Sequence, residues 1–211
     1  MTRVGAQERG AVVETDECAD GGRSTVAKPT ADKEAMMKPL TTCLWFDDQG
    51  EQAAQFWTAI FPNSSISGVT RYGPDMPGPE GQVMTVEFTL NGQPFLALNG
   101  GPQFTFSEAV SLQVPCADQQ EVDRYWDALL ADGGEPGPCG WLKDKFGFSW
   151  QVIPEALPRL LGDPDPARAE RATQAMLKMG KLVVADLEAA AEGEPGDRRG
   201  GIPLPGPGGS A

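Results

Sequence analysis

Histidine is absent from this chain of 211 residues. That excludes Ser-His-Asp and Cys-His catalysis. It also removes the commonest transition-metal ligand and the usual acid–base group near neutral pH. Any chemistry must come from Glu, Asp, Lys, Tyr, Cys, the backbone or a bound cofactor. Cysteine is sparse. Cys18, Cys43, Cys116 and Cys139 lie far apart with no C-x-x-C spacing, so neither a zinc knuckle nor a redox pair is encoded. They read as free thiols, and more readily as small buried residues than as nucleophiles. No apolar run approaches the roughly 18 residues that a spanning helix needs. The first residues have no apolar stretch of the signal-peptide kind, so the expected setting is soluble and cytoplasmic. Positive charge is scarce as well: 17 Lys and Arg face 30 Asp and Glu, for a formal net charge of −13. Nucleic acids and anionic membranes need a basic footprint, and both are poor partners for this chain.

Glycine and proline are plentiful, at 26 and 19 residues, but they concentrate in loops and near the C-terminus. Residues 1–36 are polar and aperiodic and read as a disordered extension. Met36 and Met37 stand just before the first ordered segment, and translation starting there is one expectation. Residues 193–211 read as a disordered Pro/Gly tail. The folded domain is therefore expected at 37–192.

Within it, two segments look alike. The first runs CLWF, DDQGEQAAQFWTAIFP, SISGVTRYG, VMTVEFTL and FLALNGG. The second runs VSLQV, ADQQEVDRYWDALLADGG, CGWLKDKF and FSWQVIP. Ala53, Phe56, Trp57 and Ile60 fall at i, i+3, i+4, i+7, as do Val122, Tyr125, Trp126 and Leu129, so each segment carries one helix with one buried stripe. A repeat offset of roughly 70 residues suits a duplicated half-domain rather than a solenoid. Asn91-Gly92 marks a tight hairpin. After Pro154, EALPRLL and then PARAERATQAMLKMGKLVVADLEAAAEG read as helices, broken and capped around Asp163 and Asp165.

Alternation along the strands separates two faces. Met84, Val86, Phe88 and Leu90 oppose Thr85 and Glu87. Val110, Leu112 and Val114 oppose Ala109, Ser111 and Gln113. Phe148, Trp150 and Val152 oppose Ser149 and Gln151. The apolar face should pack on the helices. The other is polar but weakly charged, which suits a half-wet cleft better than an open surface.

The segments CLWFDDQGEQAAQFW, FPNSSI, VMTVEFTLNGQPFLALNGGP, EAVSLQV, CGWLKDKFGFSWQVIP and QAMLKM resemble the PhnB-like branch of the vicinal oxygen chelate superfamily. That superfamily includes glyoxalase I, bleomycin-resistance proteins and extradiol dioxygenases. The branch often bears the name 3-demethylubiquinone-9 3-methyltransferase. The resemblance implies an α+β fold of paired βαβββ units forming a cup-shaped mixed sheet, with C-terminal helices, in a homodimer. In metal-dependent relatives, four inward strand positions carry His, Glu or Gln. The matching positions here are Thr42, Ala97, Ala109 and Gln151, and two of them have no donor atom. No metal or cofactor is therefore expected. Asn99-Gly100-Gly101-Pro102 is the nearest glycine cluster, but it precedes no helix, and Pro102 removes a donor amide.

The residues expected to face the cup are Glu87, Asn99, Ser111, Gln113 and Gln151, with Arg71 and Trp141 near its rim. Glu87 could act as a general base, or pair with Arg71 or Lys143 as a surface carboxylate. The others could orient a small polar ligand, or bond one another or water. Trp141 could stack on a planar ligand or pack as a core indole. Lys143-Asp144-Lys145 reads as a solvated loop or strand edge. The leading expectation is a metal-independent small-molecule-binding protein. Its alternative is an enzyme on a small polar or aromatic substrate, the methyltransferase of the family name being one candidate, with Glu87 as base. A third reading is an interaction protein whose cleft its own C-terminal helices fill.

Overall fold

The computed structural model describes residues 40–193. The expected N-terminal extension, its alternative start, Cys18 and the tail beyond residue 193 lie outside the described residues.

The first unit runs β1 (Thr42–Phe46), α1 (Gly50–Ile60), β2 (Ser65–Arg71), β3 (Val83–Leu90) and β4 (Gln93–Asn99). The second runs β5 (Ser111–Cys116), α2 (Gln119–Leu130), β6 (Glu135–Pro136), β7 (Trp141–Lys143) and β8 (Ser149–Pro154). Each is a strand, a helix and three strands. The sheet orders are the same, β1-β4-β3-β2 and β5-β8-β7-β6, with the first and last strands parallel in both. The duplication read from the helices is thus a duplication of topology. The eight strands divide four and four between two sheets.

Asn91 and Gly92 both have positive φ, 47° and 80°, as a two-residue hairpin turn requires, and they close the Leu90↔Gln93 pair. The helix starts are secured differently. Asp118 caps α2 by accepting from the Glu121 amide at 2.9 Å, and Glu121 reaches back to the Ala117 amide. In α1 the N-cap residue, Gln49, makes no side-chain cap. There the Gly50 amide donates instead to Asn99 Oδ1 at 2.9 Å, from the end of β4. A Cβ on Gly50 would stand 2.7 Å from that oxygen, so the close approach needs glycine.

One core joins the two units. It holds Leu44 and Phe46 of β1, Val86 and Phe88 of β3, Phe95 and Ala97 of β4, Val114 of β5, and Trp150 and Val152 of β8, with the buried stripes of both helices. Trp57 of α1 is its hub. Its ring centroid lies 5.9 Å from Phe46 and 6.0 Å from Phe88 in the first unit, and 5.5 Å from Phe148 and 5.6 Å from Trp150 in the second. Aromatic pairs at such spacings add to the large apolar area that each ring buries. Because both sheets turn their apolar faces into this core, their opposite faces point away from it.

The C-terminal segment forms α3 (Ala156–Leu161), α4 (Pro166–Met176) and α5 (Val184–Glu192). Asp165 caps α4 by accepting from the Ala167 amide, as its place before Pro166 suggests. The long helix expected over the last stretch is divided at residues 177–183, where backbone bonds are spent elsewhere. The Cys139 and Gly140 amides donate to the Met179 and Gly180 carbonyls, both at 2.7 Å. Gln119 of α2 also holds this crossing, donating to the Leu182 carbonyl and accepting from the Val184 amide. Leu157, Leu160, Ala172, Leu182, Leu187 and Ala191 make a separate small core, on which Ile153 of β8 packs.

Candidate functional site

The face of the second sheet turned away from the core carries the expected polar set. The register pairs Ser111 with Ser149, Gln113 with Gln151, and Gln151 with Trp141. Paired residues share a face, so Ser111, Gln113, Trp141, Ser149 and Gln151 stand together. Gln151 Nε2 donates to Ser111 Oγ at 2.7 Å, and Gln113 Nε2 donates to Gln151 Oε1 at 3.2 Å. The amides therefore form a ladder across β5 and β8 with Trp141 beside it. Ile153, on the same face, packs on the C-terminal cluster, so those helices cover that end of the face, while Ser111, Trp141 and Gln151 are half-buried and Gln113 is exposed.

Next to the ladder is a cavity of about 410 Å³ lined by Trp141, Lys143, Ser149, Glu108, Glu135 and Pro136, among others. The Lys143 ammonium pairs with Glu108 at 2.5 Å. That hydrogen bond holds the Glu108 carboxyl below its usual range and pushes Lys143 above its own. Ser149 is 1% exposed, and its hydroxyl has no hydrogen-bond partner among the described residues.

The open face of the first sheet differs. Cys43 pairs with Leu96, Trp45 with Leu98, Leu96 with Glu87 and Leu98 with Thr85. Its β1–β4 half is apolar, and β2 and β3 add Thr70, Thr85 and Glu87, the one carboxylate on this face among the described residues. Glu87 is exposed and lies beside Gly68. Neither suggested cation reaches it. Arg71 pairs with Glu51 at 3.6 Å and donates to the Gly81 carbonyl, while Lys143 is held by Glu108. Trp45 packs edge-on to Phe104 and donates to the Gly101 carbonyl at 2.8 Å.

Four expectations from the sequence need correction. Asn99 does not face the open side. It is buried on the core face, where its amide accepts from Gly50 and donates to the Asp48 and Val83 carbonyls. Every polar atom of that side chain is used in starting α1 and closing the strand ends. Thr42 and Ala97 also belong to the core face, in line with Leu44 and Phe95, and Ala109 lies in the turn before β5. A shift of one residue in a strand exchanges its faces, and short strands of mixed polarity do not announce which parity holds. Val110 likewise precedes the strand and is exposed. Finally, Asp144 is not solvated. It is 3% exposed and accepts from Trp57 Nε1 at 2.7 Å, Trp150 Nε1 at 2.8 Å, and the Phe146 and Phe148 amides. Burial pushes its carboxyl up, and those four bonds oppose the shift. Two tryptophans and a buried carboxylate far apart in sequence gave no local signal of this staple between the units.

The family model described as 3-demethylubiquinone-9 3-methyltransferase matches residues 38–153, more than half of the chain. The chain belongs to that family, the PhnB-like branch of the vicinal oxygen chelate superfamily. Among solved structures it is similar to a putative 3-demethylubiquinone-9 3-methyltransferase, PhnB protein, from Bacillus cereus, at 36% identity. That match covers 56% of this chain and 99% of that one, with a TM-score of 0.50. It is also similar to protein PA1353 from Pseudomonas aeruginosa, at 18% identity over 56% of this chain and 98% of that one (TM-score 0.47). A third is the fosfomycin resistance protein FosX from Listeria monocytogenes, at 16% identity over 56% and 94% (TM-score 0.40). No curated protein matches. The three C-terminal helices begin after the matched segment ends.

Two groups that the family implies can be tested against the residues present. On the open faces, β1 and β4 offer Cys43 and Leu96, while β5 and β8 offer Ser111, Gln113 and Gln151. Leucine has no donor atom, and neither a carboxylate nor an imidazole stands in this set, so it does not fit a divalent ion of the superfamily type. Nor do residues 99–102 fit a nucleotide-like methyl donor. The Gly100 and Gly101 amides donate to the Phe46 and Asp47 carbonyls, extending the β1–β4 pairing. A Cβ on Gly100 would lie 2.2 Å from the Trp45 ring, which shows what this glycine accommodates.

Proposed function

We propose that this protein is a metal-independent small-molecule-binding protein of the glyoxalase/bleomycin-resistance type, acting as a cytoplasmic homodimer. The observation that carries this reading is the Ser111–Gln151–Gln113 ladder beside Trp141, on a sheet face turned from the core. Uncharged amides and one indole are the composition of a site that orients a small ligand by a few hydrogen bonds over an apolar surface. Arg71, at the end of β2, stands outside this group. A single chain does not set its two open faces against each other, because both look outward from a shared core. A second copy can do so, laying the apolar Cys43, Trp45, Leu96 and Leu98 face over the amide ladder.

The test is native mass spectrometry of the protein from its own host, before and after mild denaturation, with sedimentation alongside. A dimer retaining a small molecule supports the reading. A bare monomer that also shows no response to a metabolite thermal-shift screen removes it. One observation favours an enzymatic variant: Glu87 stands cross-strand from Leu96 on the open face of the first sheet, where a second copy would bring it over the ladder. Once a turnover is found, an unchanged kcat in Glu87→Gln disposes of Glu87 as general base.

A further inference from the structure

The cavity beside the ladder has a charge balance and an unused hydroxyl that together restrict what it accepts. Ser149 is almost wholly buried, and its Oγ is without a partner among the described residues. A buried hydroxyl left unbonded carries an uncompensated desolvation cost, which a ligand atom arriving in the cavity relieves. Its cross-strand neighbour on the same face is Lys143. Lys143 does not supply a free positive charge, because Glu108 already holds its ammonium. Glu135 stands opposite Lys143 across β6 and β7 and also faces its ammonium, so the lining sets two carboxylates against one lysine. Trp141 supplies an aromatic surface at the same opening, and aromatic faces attract cations.

We infer that this cavity takes a small organic monocation: an amine with a compact apolar body, its ammonium donating toward Ser149 Oγ and Glu135 and its body on Trp141. The inference rests on the small-molecule reading above and names the ligand's charge class. An anionic ligand meets two carboxylates and a lysine already engaged. A neutral ligand leaves the excess negative charge of the lining uncompensated.

The test uses the full-length protein and two probes of one shape and opposite charge, benzylamine and benzoate, with binding read by calorimetry. Benzylamine is expected to bind about tenfold more tightly than benzoate, and Glu135→Gln to weaken it by about tenfold. Ser149→Ala separates a binding role from a structural one. Removing an unbonded buried hydroxyl should leave the melting temperature unchanged or raised, while benzylamine affinity falls several-fold. Benzoate binding as well as or better than benzylamine overturns the inference, as does full benzylamine affinity in Ser149→Ala. Failure of both probes overturns it too, and the molecule retained in native mass spectrometry then decides the broader reading separately. A retained anionic or neutral metabolite leaves small-molecule binding standing and the cationic class refuted.

Discussion

The two βαβββ units share one strand order and one helix pattern, yet they have been put to different uses. In the first, α1 places Trp57 at the centre of the common core, where its N–H reaches Asp144 of the second unit. In the second, Trp126 occupies the matching helix position and is buried, but it makes no such bond among the described residues. The open faces diverge in the same way: Leu96, Leu98 and Trp45 on one, Ser111, Gln113 and Gln151 on the other. Topology is set by residues that point inward. The outward positions were free to differ, and one face became apolar while the other became a hydrogen-bonding surface.

The tryptophan pair gives the largest expected contrast. Trp57→Phe removes a donor from a buried carboxylate and is expected to cost about 3 kcal/mol. Trp126→Phe loses only volume and should cost about 1 kcal/mol. Urea unfolding of both variants checks this, and equal losses would mean that Asp144 does not staple the units. Gly100→Ala comes next. The new methyl must push the Trp45 indole off the Gly101 carbonyl, for about 1–2 kcal/mol, with a change in tryptophan fluorescence. Gln151→Leu breaks both rungs of the ladder and makes the second face resemble the first. Its effect on stability should stay within about 1 kcal/mol, while the affinity for whatever molecule native mass spectrometry identifies falls. Unchanged affinity would take the ladder out of the site.

The smallest effect is one of pH, and it sets the common core against the C-terminal helices. Arg168 bonds Glu192 and holds its carboxyl below the usual range, while the Asp165 amide, and after it Arg168, holds Asp163 below its own. A depressed value in the folded state gives stability that is present above the ordinary carboxylate range and is lost as pH falls through the folded values. Asp144 has the opposite sign. Burial raises it, so its folded form takes up a proton more readily than the unfolded chain does, and its contribution weakens as pH rises through the folded value. Hydrogen exchange below about pH 4 should therefore show α3–α5 loosening before Trp57 and its neighbours. A simultaneous loss would contradict the separate small core.

Much of the architecture was legible in the chain. The stripes at Ala53/Trp57 and Val122/Trp126 fixed two helices because a helix repeats every 3.6 residues. Asn91-Gly92 fixed a hairpin because both residues tolerate positive φ. The polar set at Ser111, Gln113 and Gln151 followed from strand alternation. The likeness of the two segments then implied a paired fold.

What remained was decided by contacts between residues distant in sequence. Asn99 reads as a site residue, and only the meeting of β4 with the start of α1 shows that its amide is fully used. Asp144 reads as part of a charged loop, and only the packing of Trp57 on Trp150 draws it inside. Thr42 and Ala97 fell on the wrong face because parity in a short strand is set by its register with neighbours. Local sequence governs what a segment can become, since periodicity and turn chemistry act over a few residues. Which polar groups are buried, and which face is left open, depends on desolvation and pairing across the whole fold.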